Sequence, residues 1–412
     1  MLIKNAKKGK IVACLDMGSS KLVCIIASIG VDGVQVLGYG HKESKGIVGS
    51  AISDMRLAQK SITNVVSEAE RMAGFNIDRL LVAVSGSQVV STRKEVSTKI
   101  ASDVVKASDI ANLASKVRLE FKKNNREIIH LIPAQYRIDD SNSVVNPRYM
   151  SGERLYAKFH VISTSHTTIK NIENCLKRCQ LSVNNYVVEP YASALSCLSV
   201  NEMNLGSLLI DIGGSSTSFA VILEGKLVHV GSSPIGGSHI TRDISTILNI
   251  SFDVAETIKS LNSSLLISPI EERELVKLDY SGDEQSDMIS ITRTELRDII
   301  QSRLEEIFES VKETLSKSGV SPYMVSNIVL TGGVTSIVGI DKLASDIFEN
   351  NVRIGYPTKF ESLASEILNP TNSCSVGMLS FLKNMHMKSK IKDGFESKNN
   401  WFRRVIEKLA AI

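Results

Sequence analysis

The arrangement of apolar and polar residues along the chain predicts two α/β halves that are built from similar parts. Residues 11–27 form two apolar runs on either side of a short polar turn, and residues 208–221 repeat that arrangement. Each segment predicts a β-hairpin, because strands that are buried on both faces of a sheet are continuous apolar runs. Further strands are predicted at residues 34–40, 80–86, 185–188, 226–231 and 328–331.

Apolar residues spaced three or four positions apart predict the helices that cover these sheets. In residues 57–73 they form one continuous face, and Gly74 ends the helix. Residues 262–290 are polar, show no period and are predicted to be irregular. Other helices are predicted at residues 108–123, 167–180, 192–200, 252–259 and 292–318, and after Gly237 and Gly339.

Residues 87–160 differ in character from the rest of the first half. They contain polar, β-branched runs, one charged helix and strand-like segments at 130–136 and 150–161. Because they interrupt a strand-and-helix pattern that resumes afterwards, they are predicted to form a small inserted domain. His130 and His160 lie in its apolar strand segments and are expected to be core or interface residues rather than catalysts.

The two hairpins turn through the same motif, an aspartate, one residue and a glycine, followed by small hydroxyl residues. The first copy begins at Asp16 and the second at Asp211, about one domain length later. Backbone N–H groups in such a turn can converge on a phosphate, and the aspartate can hold a hydrated divalent cation. Neither turn is a P-loop, because a strand rather than a helix follows. A plain hairpin explains either copy alone, whereas the repetition favours a polyphosphate held from two sides.

Two further glycine pairs lie where a ligand could approach the backbone. Gly236 and Gly237 precede a predicted helix whose N-terminus would favour a phosphate, and a capped helix start explains them equally well. Gly332 and Gly333 follow the last predicted strand, and a flat base could lie against their backbone.

Composition and charge exclude several classes of protein. A chain of 412 residues is long enough for two or more domains, and no apolar run reaches the roughly 18 residues that span a membrane. No secretory signal is expected, since the N-terminal lysines lead directly into a strand. The six cysteines are scattered, which suits reduced thiols, and Cys175 and Cys179 lack a second pair for zinc. The net charge of +4 is too small to indicate binding to nucleic acid.

The excess of positive charge lies from residue 388 onward and suggests an acidic surface as partner. Residues 385–399 are polar and basic and are predicted to be a linker. Residues 400–412 predict an amphipathic helix, which favours binding to an anionic membrane surface; docking in a protein groove is the main alternative. The expected membrane-binding residues are Trp401, Phe402, Arg403, Arg404, Val405, Ile406, Lys408, Leu409 and Ile412.

These motifs resemble the FtsA family, the actin-like cell-division proteins of bacteria, over nearly the whole chain. The resemblance implies an actin-like α/β fold of two domains, each ribonuclease H-like, with a small inserted α+β subdomain. It also implies ATP bound with Mg²⁺ in the cleft between the domains. The most specific stretches are residues 132–136, 150–155, 189–190, 235–241, 255–259 and 330–333.

The resemblance also divides the chain into parts. The expected parts are a first actin-like domain at 10–86 and 161–200, the inserted subdomain at 87–160, a second domain core at 201–235 and 321–384, its smaller subdomain at 236–320, a linker at 385–399 and a membrane-targeting helix at 400–412.

The resemblance assigns roles to the turns. Asp16 and Asp211 would hold Mg²⁺, while Ser215 and Val334 stand where glycine is usual in the family. No catalytic residue is identified: Glu189 is a candidate base by position only, and at most weak ATPase activity is expected. The implied nucleotide-binding residues are Asp16, Gly18, Ser19, Ser20, Lys21, Asp211, Gly213, Gly214, Ser215, Gly236, Gly237, Glu256, Lys259, Gly332, Gly333 and Val334.

The resemblance further implies partners and a location. The family forms protofilaments, binds the C-terminal tail of FtsZ, tethers the FtsZ polymer to the membrane and recruits later division proteins. This chain would then lie peripherally on the cytoplasmic face of the inner membrane at the division site. Arg293 and Arg297, on the long helix of the smaller subdomain, are candidates for the FtsZ contact. The alternatives are a sugar or small-acid kinase, a chaperone-type ATPase and a pilus-assembly actin homologue, none of which would be expected to carry the terminal helix.

Overall fold

A computed structural model describes residues 9–30, 33–86, 88–272, 274–278, 289–320, 324–360 and 363–387. Its strands in chain order are β1 (Lys10–Met17), β2 (Lys21–Gly30), β3 (Gly33–Glu43), β4 (Ile47–Val48), β5 (Ala51–Ile52), β6 (Arg79–Val84), β7 (Val90–Lys99), β8 (Arg126–Ile138), β9 (Arg154–Ser165), β10 (Ser182–Val188), β11 (Ser207–Ile212), β12 (Thr217–Leu223), β13 (Lys226–Ser233), β14 (Leu275–Leu278), β15 (Ile289–Thr292), β16 (Asn327–Thr331) and β17 (Val352–Ile354). Its helices are α1 (Met55–Ala73), α2 (Ala107–Lys123), α3 (His166–Arg178), α4 (Glu189–Cys197), α5 (Val200–Leu205), α6 (Gly237–Leu248), α7 (Phe252–Asn262), α8 (Arg293–Lys317), α9 (Ile340–Phe348) and α10 (residues 373–387).

Two five-stranded sheets share one topology. The first has the order β3-β2-β1-β6-β10, with β1 to β3 antiparallel and β6 and β10 parallel to β1. The second has the order β13-β12-β11-β16-β17, with the same directions. The hairpins β1–β2 and β11–β12 are therefore equivalent parts of a duplicated unit, as the repeated Asp-x-Gly motif predicts.

Helices cover both faces of each sheet. In β1, Leu15 packs under α1 and α3, and its neighbour Cys14 packs on the opposite face under α4 and α10. In β11, Ile210 faces the layer of α6, α8 and α9, and Leu209 faces α4. This alternation follows from the two-residue period of a strand and explains why both strands are continuous apolar runs. Helix α4 joins the two halves and packs on both sheets.

Residues between β6 and α3 form an inserted unit of their own. Its sheet has the order β7-β9-β8, covered by α2 over a separate apolar core. His130 Nε2 accepts the N–H of Val188 at 3.1 Å, and His160 Nδ1 donates to Leu227 O at 3.0 Å. Both are interface residues as predicted, and burial lowers the pKa of each imidazole, to about 4 for His130.

Two predictions of local structure were wrong. The segment 262–290 is not wholly irregular, because β14 pairs with β15 before α8 begins. The helix predicted at 192–200 begins at Glu189, with Pro190 in its first turn, where a missing N–H costs no hydrogen bond. It ends at Cys197, and Ser199 then caps the separate helix α5.

Two features concern the end of the described chain. Helix α10 continues through residue 387, into the predicted linker at 385–399. None of the helices in the described ranges is both long and apolar enough to cross a membrane. The predicted amphipathic helix at 400–412 lies outside the described residues.

Candidate functional site

The two Asp-x-Gly turns lie face to face between the two sheets. Ser19 Oγ lies 2.5 Å from Ser215 Oγ, although the residues are 196 positions apart. A Cβ placed on Gly214 would overlap Ser20 Oγ, so the missing side chain at Gly214 is what allows this approach. The fold therefore brings together the two turns that the sequence identified as a pair.

Asp16 and Asp211 occupy equivalent positions beneath these turns. Each lies one residue before the last pair of its hairpin. Because side chains alternate along a strand, Asp16 shares a face with Cys14, and Asp211 shares a face with Leu209. Both of those faces pack against α4, so both carboxylates point toward the layer that joins the halves.

Both carboxyl groups are costly to ionise where they lie. Asp16 is 8% and Asp211 is 6% exposed. Burial raises the pKa of both, and the charge of Asp16 raises the pKa of Asp211 further. The charge of Lys21 opposes both shifts, and the Ser193 hydroxyl donates to Asp211 Oδ2 at 2.6 Å, which also opposes the shift there.

Glu189, the first residue of α4, adds a third carboxyl group to this place. Burial raises its pKa, and the charges of Asp211 and Asp16 raise it further, against a hydrogen bond with Ser85. The ammonium of Lys21 acts on all three acids, and burial lowers its own pKa. Such an excess of negative charge favours the binding of protons or of a cation.

The acids suit a divalent cation that arrives with other ligands. Among the described residues, no group of three or more His, Cys, Asp and Glu side chains is arranged to hold a metal ion. Mg²⁺ commonly takes one or two carboxylates and completes its shell with water and phosphate oxygens. Asp16 and Asp211 therefore fit Mg²⁺ carried by a polyphosphate better than a permanently bound ion.

Lys21 ties the first turn to the start of α10. Its Nζ donates to Thr371 O and, at 2.7 Å, to Asn372 Oδ1. The Cys374 thiol is hydrogen-bonded to Asp16. Sequence reasoning missed these partners, because residues 370–374 carry no glycine-rich or acidic motif and reach the site only through the fold.

The glycine pair before α6 supports the second turn. Gly237 N donates to Gly213 O at 2.9 Å, and Ser238 N donates to Gly214 O at 2.7 Å. A Cβ on Gly236 would lie 2.7 Å from Gly213 O. The first amides of α6 are thus bonded to the turn, and the helix holds the turn against its N-terminal end.

The remaining predicted residues form one cluster beside the second turn. Lys259 Nζ donates to Gly237 O at 3.1 Å and to Glu256 Oε2 at 2.6 Å. A Cβ on Gly237 would lie 2.7 Å from Val334 Cγ2, so the turn at Gly332 to Val334 borders the same helix start. The Glu256 side chain remains 46% exposed, whereas Lys259 is largely enclosed.

Other candidate residues lie away from this cluster or outside the described ranges. Arg293 Nε is paired with Glu274 Oε2 at 2.7 Å, and Arg297 Nη2 with Asp298 Oδ1 at 2.8 Å, both near the start of α8. The membrane-binding candidates between Trp401 and Ile412 are not among the described residues.

Comparisons with solved structures show the fold. The PilM–PilN type IV pilus biogenesis complex aligns with a TM-score of 0.65 at 16% identity, covering 90% of this chain and 98% of that one. MreB5 of Spiroplasma citri bound to ADP aligns with a TM-score of 0.55 at 17% identity, covering 93% and 99%. These likenesses confirm the predicted actin-like α/β fold, and at such identities they concern the fold alone.

Comparisons of sequence show the family. A family model described as cell division protein FtsA matches residues 208–377, and one described as the SHS2 domain inserted in FtsA matches residues 86–163. The cell division protein FtsA of Agrobacterium fabrum is 32% identical over 387 residues, covering 91% of this chain and 87% of that protein. FtsA of Pseudomonas aeruginosa is 32% identical over 378 residues, covering 92% and 90%. With such identity over nearly its whole length, the chain belongs to the FtsA family of cell-division proteins.

Proposed function

We propose that this cell-division protein binds ATP with Mg²⁺ between its two Asp-x-Gly turns and acts as a nucleotide-dependent scaffold. One observation carries the proposal: the duplicated turns face each other, with Ser19 and Ser215 in contact and two buried aspartates beneath them. A polyphosphate between such turns would receive backbone N–H groups from both sides. MreB5, which shares the fold, has been solved bound to ADP and to AMPPNP.

Each part of the site has a role in this proposal. The turn from Gly18 to Lys21 and the turn from Gly213 to Ser215 hold the phosphates. Asp16 and Asp211 hold Mg²⁺, which supplies the positive charge that the acids and phosphates lack. The adenosine lies against the turn at Gly332 to Val334, and Glu256 and Lys259 meet its ribose and base.

Two side chains limit how closely the backbone can approach the nucleotide. Ser215 contacts Ser19, and Val334 packs on Gly237, where glycines would leave open space. Glu189 stays the candidate base by position; in the unliganded site burial raises its pKa to about 8, so most of it is protonated at neutral pH and cannot accept a proton. We therefore expect at most weak ATP hydrolysis.

Isothermal titration calorimetry with ATP and Mg²⁺ tests whether the nucleotide binds between the two turns. Asp211→Asn keeps an acceptor for Ser193 but removes the charge, so we expect the dissociation constant to rise roughly tenfold or more. Asp140→Asn, at a fully exposed carboxylate of the inserted unit, is the control. An unchanged dissociation constant for Asp211→Asn would remove the assignment of the turns.

The same variant carries its own check on folding. Burial raises the pKa of Asp211 in the folded protein to about 6. Ionisation of Asp211 therefore destabilises the unliganded fold by an amount that grows between about pH 4 and pH 6 and is absent below about pH 4, where the acid is protonated in both the folded and the unfolded state. At pH 7.5 the Asp211→Asn protein should therefore melt at the parental temperature or higher. A lost affinity in such a protein cannot be ascribed to unfolding.

The scaffold role extends beyond the nucleotide. We propose that residues 400–412 hold the protein on the cytoplasmic face of the inner membrane at the division site. Residues 236–320 would bind the FtsZ C-terminal tail, and copies of the chain would assemble into protofilaments that recruit later division proteins. Membership of the family and the amphipathic sequence of residues 400–412 support these roles.

Charge reversal on α8 tests the FtsZ contact. Arg293 and Arg297 are partly exposed on its first turns. We expect Arg293→Glu and Arg297→Glu each to weaken binding of an FtsZ tail peptide by about 1 kcal/mol, measured by fluorescence anisotropy. Lys317→Glu, exposed at the other end of α8, is the control. If both variants bind as the parent does, these arginines do not contact the peptide.

A further inference from the structure

A groove of about 570 Å³ lies at the end of the first sheet that is remote from the two turns. It is formed by the first residues of β1 and β6, by the loop after α1 and by the last turn of α10. Most of its surface is apolar, and the large apolar residues that line it include Ile11, Phe75, Ile77, Leu80, Leu382 and Met385.

Several of these side chains are left exposed by the described part of the chain. Ile11 is 41%, Phe75 is 36% and Met385 is 41% exposed. Single exposed apolar residues are ordinary, but a group of them around one concave surface is typical of a binding site. The groove contains none of the residues proposed for the nucleotide.

We propose that residues 401–412 dock in this groove when the protein is not on a membrane. The proposal rests on the proposed membrane role of the same residues. Because the apolar face of the segment can contact either the groove or lipid, the two sites compete for it. The groove would then hold the protein in a closed state that releases its anchor at a membrane.

The place where the described chain ends favours residues 401–412 as the occupant of the groove. Helix α10 ends at residue 387, and Met385 in its last turn lines the groove. Only residues 388–400 separate it from the segment, and at about 3.5 Å per residue they span up to roughly 45 Å. The segment therefore reaches the groove without any rearrangement, and a tether of this kind gives an effective concentration on the order of millimolar.

The chemistry of the segment fits as well. Helices that bind grooves present apolar residues three, four and seven positions apart. In this segment that face comprises Trp401, Phe402, Val405, Ile406, Leu409 and Ile412. A free partner protein would need a comparable face and would compete against a segment that is already present at high local concentration.

Trp401 is the only tryptophan in the chain, so tryptophan emission reports on this segment alone. Without lipid we expect blue-shifted emission and weak quenching by acrylamide. Phe75→Glu and Ile11→Glu should shift the emission to the red and strengthen quenching. Both variants should also bind vesicles of phosphatidylglycerol and phosphatidylethanolamine roughly tenfold more tightly than the parent. This increase corresponds to about ten closed molecules for each open one in the parent, because only open molecules can bind the vesicle.

Leu119→Glu is the matched control, because Leu119 is 61% exposed on α2, away from the groove. Emission typical of full exposure in the lipid-free parent, or emission unchanged in both groove variants, would overturn the proposal. A blue shift that vanishes on dilution would place the segment in the groove of a second copy and overturn the intramolecular arrangement. Failure of the membrane role is distinguishable, since vesicles would then change the emission of neither the parent nor Phe75→Glu.

Discussion

At the scale of single residues, the site depends on Gly332, which follows β16 at a place with no room for a side chain. Gly332 has φ of 93°, and a Cβ there would overlap Ile212 O and lie 2.6 Å from Asp211 Oδ1. Its neighbour Gly333 has space around it, with Thr371 Cγ2 nearest at 3.8 Å. The two adjacent glycines therefore differ: a side chain at Gly332 would overlap its neighbours, whereas one at Gly333 would have space.

This difference gives a matched pair of variants. Gly332→Ala should lower the free energy of unfolding by about 2–4 kcal/mol, because it combines an unfavourable φ with backbone overlap. Gly333→Ala should change it by less than about 0.5 kcal/mol. Urea denaturation of both proteins measures the two values. Equal values for the two variants would contradict the packing of Gly332 against Asp211.

The sequence identified some of these residues and not others. Asp16, Asp211 and the glycine turns carry a local motif that repeats, so their pairing could be predicted from the sequence alone. Ser193 and Asn372 could not, because a serine in a helix and an asparagine before one have no distinctive neighbours. Their roles depend on which segments the fold brings beneath the turns.

At the scale of secondary structure, elements with strong local patterns were predictable. The hairpins and the helix α1 follow from apolar runs and helical spacing. The strands β14 and β15 did not, because each has four residues and their pairing depends on tertiary contacts more than on a periodic pattern. The start of α4 at Glu189 had a signal in Pro190, which is common in the first turn of a helix.

Helices α4 and α10 cross in close contact. A Cβ on Gly377, within α10, would overlap the carbonyl oxygen of Ala192 in α4. The Ser196 hydroxyl donates to Ser373 O at 2.7 Å at the same crossing. Helix α10 packs on the first sheet and α4 packs on both sheets, so the separation of the two helices bears on how the halves fit together.

The variant Gly377→Ala tests this crossing, because the close contact predicts that it destabilises the protein rather than stabilising it. In an ordinary helix, replacing glycine by alanine stabilises a protein by about 0.5–1 kcal/mol. Here we expect a loss of about 2 kcal/mol, because the methyl group pushes the two helices apart. Ser380→Ala on the same helix is the control, and thermal or urea unfolding is the readout. A stabilised Gly377→Ala protein would show that the helices do not meet so closely.

At the scale of the whole molecule, a duplicated fold places two equivalent turns face to face. The repeat of the motif about one domain apart allowed this arrangement to be predicted, and the two sheets of identical topology confirm it. The proposed nucleotide site and the proposed membrane segment are separate proposals, because the first involves residues before α10 and the second follows α10 in the sequence. Lys21 touches the residues before that helix, and the predicted anchor follows its other end.

Deletion of residues 400–412 tests the anchor. The deleted protein should no longer sediment with anionic vesicles, because it loses the apolar face and basic contacts that contribute about 1 kcal/mol each. Its affinity for ATP with Mg²⁺ should equal that of the full chain, which serves as the internal control. Undiminished sedimentation with vesicles would place the membrane contact elsewhere on the protein.

A crystal structure of the protein with ATP and Mg²⁺ tests the central claim most directly. We expect the triphosphate between the two turns, with Ser19 and Ser215 moved apart from their present 2.5 Å contact and the ion beside Asp16 and Asp211. Nucleotide bound at another place, or turns that remain in contact with nothing between them at saturating ATP, would contradict the account.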